Sequence, residues 1–294
     1  MVAGASGLIG SALVPALRQR GHDVVRLVRR PAGAPDEVRW DPAAGALDPT
    51  DLGAVDGAVN LAGANLGDKR WTPAFKDEIL RSRLATTSTL VSALVAADQR
   101  PGVLVNGSAI GYYGDTGDTE VDESSAPGTG FLADVVVQWE DAAAPAAAAG
   151  IRTVLARTGL VVAPGAGAFG KLVPIFKLGG GGRLGSGRQY WSFISLTDEV
   201  RALVHLLEHD DISGPVNLTA PHPVTNAEAV KALGALLHRP SVLPVPGFAL
   251  RAVVGEFAED ILGSQRVRPR VLLEAGFGFE HPTIEAALRA ELAA

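Results

Sequence analysis

The stretch Gly4-Ala5-Ser6-Gly7-Leu8-Ile9-Gly10 decides the fold class of this chain. It has the spacing G-x-x-G-x-x-G, it follows the apolar pair Val2-Ala3, and it precedes apolar residues at helical spacing. A strand, a glycine turn and a helix in this order form the phosphate-binding corner of a dinucleotide fold, because glycines allow a tight turn and a close approach of the pyrophosphate. The pattern predicts dinucleotide contacts for six residues: Gly4, Ser6, Gly7, Leu8, Ile9 and Gly10.

The helix that follows this glycine turn favours an anion at its start. Its first N–H groups have no partner within the helix, and the positive end of its dipole lies there. The alternative is a glycine-rich turn that binds nothing, because a glycine triplet alone is a weak signal. Residues further along the chain are needed to decide between a nucleotide-binding turn and a turn that binds nothing.

Length and composition restrict the class of protein. The chain has 294 residues, of which 47% are hydrophobic and 20% charged, which is enough for one large α/β domain and a smaller lobe. A net charge of -6 argues against a general nucleic-acid binder. The absence of cysteine excludes disulfides and thiolate metal sites, and we predict no metal site. No apolar run approaches the ~18 residues of a membrane span, and no signal peptide is recognisable, so we expect a soluble cytoplasmic protein.

The end of the second strand bears on the choice of cofactor. Residues 23–28 are predicted to form that strand, and Arg29-Arg30 follow it, about twenty residues beyond the last glycine. NAD-binding proteins carry Asp or Glu there to hold the ribose 2′-hydroxyl, whereas a guanidinium suits a 2′-phosphate. The alternative is two solvated arginines at a strand end. The sequence favours NADP(H) over NAD(H).

A further strand is predicted at residues 57–61, and it breaks at Ala62-Gly63-Ala64. Because open α/β sheets bind ligands at the carboxyl ends of their strands, we expect Leu61, Ala62 and Gly63 to flank the cofactor. A helix then begins after Trp71-Thr72-Pro73, with Thr72 as its cap and Pro73 in its first turn. Glu78 and Arg83 lie early on this helix, where spacing alone indicates only an exposed pair.

The next predicted strand, residues 103–107, places Ser108 at its carboxyl end. A hydroxyl here can bond a substrate carbonyl or hydroxyl; the alternative is a strand-end serine that bonds local backbone. Residues 114–130 indicate a surface loop, and residues 131–149 a helix interrupted at Pro145. The glycine-rich, basic stretch 165–187 is either an anion cradle or a connector. A helix is predicted at 196–207, with Thr197 as its cap.

These elements predict an α/β fold, with a Rossmann-type doubly wound parallel sheet and a smaller, mainly helical C-terminal substrate lobe. Residues 1–163 would form the NADP-binding domain, to which 193–220 return. Residues 164–192 and 221–294 would form the lobe. Only three residues precede Gly4, so the sequence leaves open whether the first strand is short or trimmed.

The chain resembles the extended, atypical short-chain dehydrogenase/reductases, and within them the "epimerase family" proteins related to nucleoside-diphosphate-sugar epimerases, which carry a C-terminal domain of unknown function. The match covers essentially the whole chain. Its motifs, besides the glycine turn, are Asn60-Leu61-Ala62-Gly63, Arg70-Trp71-Thr72, Ser82-Arg83, 108–114, Trp139-Glu140, Arg157-Thr158-Gly159, 184–189, 219–226 and Ser264-Gln265-Arg266-Val267.

The resemblance implies an NADP(H)-binding Rossmann fold. Beyond the glycine turn it implies cofactor contacts at seven residues: Val28, Arg29, Leu61, Ala62, Glu78, Arg83 and Val161.

The chain departs from this group where the chemistry is concerned. Active members use Ser or Thr with Tyr-x-x-x-Lys, and counting back from Glu140 puts the tyrosine and lysine positions near Leu132 and Val136. Neither side chain exchanges a proton. Ser108 remains, and Tyr112 or Tyr113 could supply a phenol, although a phenol without a nearby lysine is a poor base. A Ser195 stands where relatives tend to have His.

Two functions follow from these observations. The first is an NADP(H)-dependent oxidoreductase or epimerase-like enzyme acting on a carbonyl or sugar-nucleotide-like small molecule, with Ser108, Tyr112 and Tyr113 as candidate catalytic residues. The second is a non-catalytic NADP(H)-binding sensor or assembly protein without Tyr-x-x-x-Lys chemistry. We expect a small-molecule partner, and neither nucleic acid nor membrane; the sequence gives no oligomeric state.

Overall fold

The structure, a computed structural model, describes residues 1–165 and 167–293. Its strands, in chain order, are β1 (Val2–Ala3), β2 (Arg26–Val28), β3 (Glu37–Arg39), β4 (Gly57–Asn60), β5 (Val103–Ala109), β6 (Glu120–Val121), β7 (Arg152–Thr158), β8 (Leu160–Val162), β9 (Tyr190–Trp191), β10 (Phe193–Ser195), β11 (Gly214–Leu218), β12 (Val224–Thr225) and β13 (Arg266–Val267). Its α-helices are α1 (Leu8–Gln19), α2 (Pro73–Ala96), α3 (Phe131–Asp141), α4 (Ala144–Ala148), α5 (Gly167–Lys177), α6 (Leu196–Glu208), α7 (Asn226–Leu236), α8 (Gly247–Val254), α9 (Phe257–Leu262), α10 (Arg270–Glu274) and α11 (Ile284–Leu292).

Seven parallel strands form the central sheet, in the order β3-β2-β1-β4-β5-β7-β11. The strand order reverses between β1 and β4, so the loops that leave these two strands diverge and open a crevice at their carboxyl ends. The predicted Rossmann-type doubly wound fold is confirmed. β1 contributes only two residues, yet β2 and β4 pair with it from both sides.

Each face of the sheet has its own apolar core, because successive strand residues point to opposite faces. On one face, Val2 and Val59 pack against α1 and α6 through residues such as Leu13 and Leu203. On the other, the core includes residues of β1, β2, β4 and β5 and residues of α2: Ala3, Leu27, Ala58, Leu104, Leu90 and Leu94. The helices thus bury the sheet on both sides and leave its carboxyl edge for ligands.

A third apolar cluster joins the later part of the chain. It contains Phe169 and Phe176 of α5, Trp191 of β9, and residues of α7 and α11. Three two-stranded sheets lie outside the central one: β8 with β10, β9 with β12, and β6 with β13. The division into a nucleotide-binding domain and a substrate lobe stays a prediction.

Several local predictions are confirmed. The side chain of Thr72 caps α2 by accepting from the N–H of Phe75, and Pro73 is the first helical residue. The helix predicted at 131–149 is interrupted between α3 and α4, with Pro145 in the first turn of α4. No helix in residues 1–165 and 167–293 combines the length and the apolar character needed to cross a membrane.

Other predictions need correction. The stretch 165–187, predicted as a loop, contains helix α5, because Phe169 and Phe176 lie two turns apart on one face of the helix and are fully buried. Ala166 of that stretch lies outside the described residues. The cap of α6 is Ser195, which accepts from the N–H of Asp198, rather than Thr197. The surface loop predicted at 114–130 contains β6, which pairs with β13.

Candidate functional site

The glycine turn has no space for side chains at two of its positions. Gly4 has a φ of +79°, and a Cβ there would lie 2.6 Å from the carbonyl carbon of Leu61. A Cβ on Gly10 would lie 2.2 Å from the oxygen of Gly4. Glycine at position 4 therefore lets the turn pack against the end of β4, and glycine at position 10 lets α1 pack against the turn. Ser6 and Gly7 are exposed on its outer side.

The start of α1 is open to an anion. Gly7 is the cap residue, no side chain caps the helix, and the first turn has no acidic residue. The N–H groups of Leu8, Ile9 and Gly10 at this end are those that remain unpaired in any helix. A pyrophosphate fits here, because a narrow glycine cradle and free N–H donors are what such a group requires.

The carboxyl end of β4 forms the second wall of the crevice. Leu61 and Ala62 are half-buried and Gly63 is exposed. A Cβ on Gly63 would lie 3.3 Å from Cγ of Arg83, so the α2 side chain covers this segment closely. Of the residues predicted on α2, Arg83 is thus brought against the end of β4.

Arg83 is a half-buried cation with no carboxylate partner among the described residues. Its Nη1 donates to the carbonyl of Ile79 at 3.0 Å, and its guanidinium lies 5.0 Å from the ring centre of Trp139. Burial lowers the pKa of Arg83 to about 10. A desolvated guanidinium beside the crevice is well placed for a phosphate. Glu78, by contrast, is exposed and accepts from Lys69 at 3.0 Å.

The two arginines after β2 differ in their contacts. Arg29 is exposed and forms no ion pair with the described residues, whereas Arg30 donates to both carboxylate oxygens of Glu37, at 2.8 and 2.6 Å. Arg30 is therefore not the free cation that its position in the sequence suggested. Val28, the last residue of β2, is half-buried beside them.

A row of buried polar residues crosses the other half of the sheet. Ser108, Arg157 and Asn217 are neighbours in the register of β5, β7 and β11. Glu140 of α3 accepts from Arg157 through both oxygens, each at 2.8 Å, and accepts from the hydroxyl of Ser108 at 2.5 Å. Ser108 is only 4% exposed. The Ser108 hydroxyl donates its hydrogen to the Glu140 carboxylate, rather than to a substrate or to local backbone.

The two tyrosines after β5 have different surroundings. Tyr113 is 4% exposed; its hydroxyl donates to Asn217 at 2.8 Å and accepts from Arg157 at 3.0 Å. Burial raises the pKa of Tyr113 to about 12. Tyr113 therefore lacks the free phenol expected of a proton donor. Tyr112 is half-buried, and the guanidinium carbon of Arg157 lies 3.4 Å from its ring centre.

The positions near which Tyr and Lys were expected lie against the segment after β5. A Cβ on Gly111 would lie 3.4 Å from Cβ of Leu132 and 3.9 Å from Cγ2 of Val136. Apolar side chains thus occupy the part of α3 that faces this segment. Val161 of β8, implied by the resemblance, pairs in register with Ile194 of β10 and packs on the same apolar cluster as Ile9 and Leu61.

Three contacts fasten the segment after β4, together with the first turn of α2, to the later part of the chain. Lys171 of α5 donates to the carbonyl of Gly67 at 2.7 Å. The ring of Trp71 stacks on Phe257 of α9, with 4.9 Å between ring centres. Lys76 pairs with Glu256 at 2.5 Å. The segment that continues from the crevice wall is thus held by α5 and α9.

Sequence reasoning missed Glu140, Arg157 and Asn217 as site residues. Two of them belonged to quoted motifs, Trp139-Glu140 and Arg157-Thr158-Gly159. Their spacing along the chain gave no sign that they meet, because the register of β7 with β11 places Asn217 beside Arg157, and Glu140 reaches Arg157 from α3.

Comparison with known families decides the assignment. The model of the NAD dependent epimerase/dehydratase family matches residues 1–218, and a domain of unknown function matches residues 245–291. The chain belongs to the NAD-dependent epimerase/dehydratase family. It is an atypical extended short-chain dehydrogenase/reductase, as the sequence motifs indicated.

Among its relatives in this family, the epimerase family protein MT2273 of Mycobacterium tuberculosis is 50% identical over 288 residues, which cover 98% of this chain and 95% of that protein. The structure of human epimerase family protein SDR39U1 with NADPH has a TM-score of 0.91 and 36% identity, covering 99% of this chain and 97% of the human one. The nucleoside-diphosphate sugar epimerase of Corynebacterium glutamicum has a TM-score of 0.81 and 31% identity, covering 99% of this chain and 57% of that one.

Proposed function

We propose that this chain binds NADP(H) and acts as an oxidoreductase or epimerase-like enzyme on a small carbonyl or sugar-nucleotide-like molecule. The glycine turn, the uncapped start of α1 and the cations Arg29 and Arg83 support the cofactor assignment. The NADPH in the human SDR39U1 structure supports the phosphorylated form. A cytoplasmic location is part of the proposal.

The position of Tyr112 carries the catalytic part of the proposal. Its ring lies on the guanidinium of Arg157, 3.4 Å from the ring centre, and its hydroxyl bonds no described residue. The guanidinium holds the ring of Tyr112 in place by a cation–π contact. Arg157 would thus supply a fixed positive charge beside the ring, where Tyr-x-x-x-Lys supplies a lysine.

The proposed reduction balances one hydride against one proton. When bound, NADPH supplies a hydride to the carbonyl carbon of the substrate. The hydroxyl of Tyr112 donates its proton to the carbonyl oxygen, which yields an alcohol, and the phenolate regains a proton from water. Glu140 and Tyr113 hold the guanidinium of Arg157 in place. Because Glu140 shares the charge of that guanidinium, we expect slower proton transfer than with a tyrosine–lysine pair.

The test is a comparison of two phenylalanine variants. NADPH absorbance is followed with a panel of carbonyl compounds and sugar nucleotides, and we expect Tyr112→Phe to lower kcat by roughly 10²–10⁴-fold. Its NADPH affinity should stay unchanged. Tyr113→Phe removes the same atom from the neighbouring position and should keep most of the rate. Equal losses in the two variants would remove Tyr112 from the mechanism.

A second function, NADP(H) binding without turnover, is favoured by one observation. Leu132 and Val136 line the part of α3 that packs on Gly111, so the usual acid/base pair has no counterpart there. If this second function is correct, NADPH raises the Tm of the chain, and no member of the panel changes the redox state of the bound nucleotide. Mass spectrometry of molecules that co-purify with the chain separates the two functions, because an enzyme is expected to retain substrate or product.

A further inference from the structure

Four arginines lie on or beside the two outermost strands next to β1. Arg26 begins β2, Arg29 and Arg30 follow it, and Arg39 ends β3. The strands are parallel, and the register pairs Arg26 with Glu37 and Val28 with Arg39. Arg29, Arg30 and Arg39 thus belong to one corner of the carboxyl edge, whereas Arg26 lies at the amino end of β2.

Two of these arginines are committed to carboxylates. Arg30 donates to both oxygens of Glu37, and Arg26 donates to both oxygens of Asp36 at 2.9 and 3.0 Å. Glu37 is buried, and the hydrogen bonds from Arg30, followed by that from the N–H of Gly33, lower its pKa to about 2. Glu37 is therefore ionised at neutral pH, and its pairing with Arg30 persists.

The other two arginines have no such partner. Arg29 and Arg39 are exposed, and within the described chain neither forms a side-chain hydrogen bond or an ion pair. Val38 and Leu27 face the apolar cluster on the α2 side of the sheet. Because strand residues alternate, Arg39 points to the opposite face.

Adjacent strands lie about 4.8 Å apart, so the backbone of Arg39 lies beside that of Val28, one residue before Arg29. A phosphate monoester carries a charge near -2 at neutral pH and accepts paired bonds from guanidinium groups. Two free guanidinium groups at one strand end match that charge. The charge of Glu37, which would repel a phosphate, is already covered by Arg26 and Arg30.

We propose that Arg39 is a specificity-determining residue that binds the 2′-phosphate of NADP(H) together with Arg29, while Glu37 withdraws Arg30 from this role. The inference rests on the proposed NADP(H) binding. It assigns the selection of the phosphorylated nucleotide to two strands, rather than to the end of β2 alone.

The experiment measures binding, by calorimetric titration of the full chain with four ligands: NADPH, NADH, 2′,5′-ADP and 5′-ADP. We expect Arg39→Ala to weaken NADPH and 2′,5′-ADP by roughly tenfold or more, and to leave NADH and 5′-ADP within about twofold, since a charge-assisted bond is lost only with the 2′-phosphate. Arg39→Lys should lie in between, because lysine keeps the charge but not the fork of donors.

Two control variants accompany it. Arg289→Ala, on α11, removes the same charge from an exposed position elsewhere and should leave all four affinities unchanged. The double variant Arg30→Ala/Glu37→Gln removes a neutral pair and should keep the preference for NADPH over NADH. Melting without ligand checks that every variant is folded.

The outcomes separate this inference from the function on which it rests. If the unmodified chain prefers NADPH and Arg39→Ala weakens NADPH and NADH equally, or neither, the inference is overturned and NADP(H) binding stands. If the unmodified chain binds NADPH no more tightly than NADH, the inference and the proposed choice of cofactor both fall. A loss confined to the two ligands with a 2′-phosphate supports both.

Discussion

The two halves of the carboxyl edge treat their polar groups differently. Along β1, β2 and β4, the start of α1 has no side-chain cap, and Arg29 and Arg83 have no carboxylate partner among the described residues. Along β5, β7 and β11, Ser108, Glu140 and Arg157 satisfy one another. Unpaired polar groups at the surface are available to a ligand, whereas a closed network mainly fixes the structure. The first half is suited to bind the nucleotide, and the second fixes the position of Arg157 beside Tyr112.

The largest expected effect comes from breaking the closed network. Arg157→Met leaves the charge of Glu140 buried without a partner and should lower the free energy of unfolding by about 3–5 kcal/mol. Chemical denaturation measures the loss. The double variant Arg157→Met/Glu140→Gln removes the stranded charge and should recover most of it. A single variant as stable as the unmodified chain would show that this half is not held by its ion pair.

Glu199 sharpens the comparison, because it is unpaired and yet fully buried. Its Oε1 accepts from Thr158 at 2.8 Å, its Oε2 has no partner among the described residues, and burial raises its pKa from 4.5 to about 8. Between these values the folded chain keeps the proton and the unfolded chain releases it. Stability should therefore fall as pH rises from about 4.5 to about 8, by up to about 1.4 kcal/mol per pH unit.

Glu199→Gln should flatten this dependence. Thermal melting of both proteins across that range measures the difference, which should be small near pH 5 and should grow in favour of the variant towards pH 8. Parallel pH profiles for the two proteins would contradict the assignment of the proton to Glu199.

The glycine turn offers a way to disturb the binding half. A Cβ at Gly10 meets the oxygen of Gly4 at 2.2 Å, so Gly10→Ala should displace the start of α1 and lower the free energy of unfolding by about 1–3 kcal/mol. NADPH affinity should fall with it. Gly278→Ala, whose Cβ meets nothing within 4 Å, is the matched control and should leave both unchanged. An unaltered NADPH affinity in Gly10→Ala would place the nucleotide elsewhere.

The smallest effect is expected from Tyr113→Phe. The substitution deletes the bonds to Arg157 and Asn217 but leaves the ion pair with Glu140 intact. We expect a loss of about 1–2 kcal/mol in the free energy of unfolding. A loss as large as that of Arg157→Met would show that the tyrosine, rather than the carboxylate, closes the network.

The sequence predicted the parts of the molecule that depend on neighbouring residues. The glycine turn, the cap of α2 by Thr72 and the interruption at Pro145 follow from local backbone chemistry, and the structure contains all three. Helix α5 was missed because its glycines suggested a loop, although Phe169 and Phe176 have helical spacing. The cap of α6 was placed two residues late.

The rest depended on residues that lie far apart in the chain. The pairing of Arg30 with Glu37 follows from the register of β2 with β3, and the contact of Glu140 with Arg157 follows from the packing of α3 on β5, which pairs with β7. Local sequence patterns predict neither the strand register nor the helix packing. The sequence therefore predicted which positions face a cofactor, but it could not tell which arginine is free or which hydroxyl is engaged.

Residues 61–72 connect the end of β4, beside the glycine turn, to helices α5 and α9. The backbone that begins beside Gly4 continues within a few residues to Gly67, held by Lys171, and to Trp71, stacked on Phe257. A displacement of residues 61–72 at the Leu61 end would therefore shift the contacts with α5 and α9 at the other end. A nucleotide against Leu61 would therefore contact one end of a segment whose other end is held by Lys171 and Phe257.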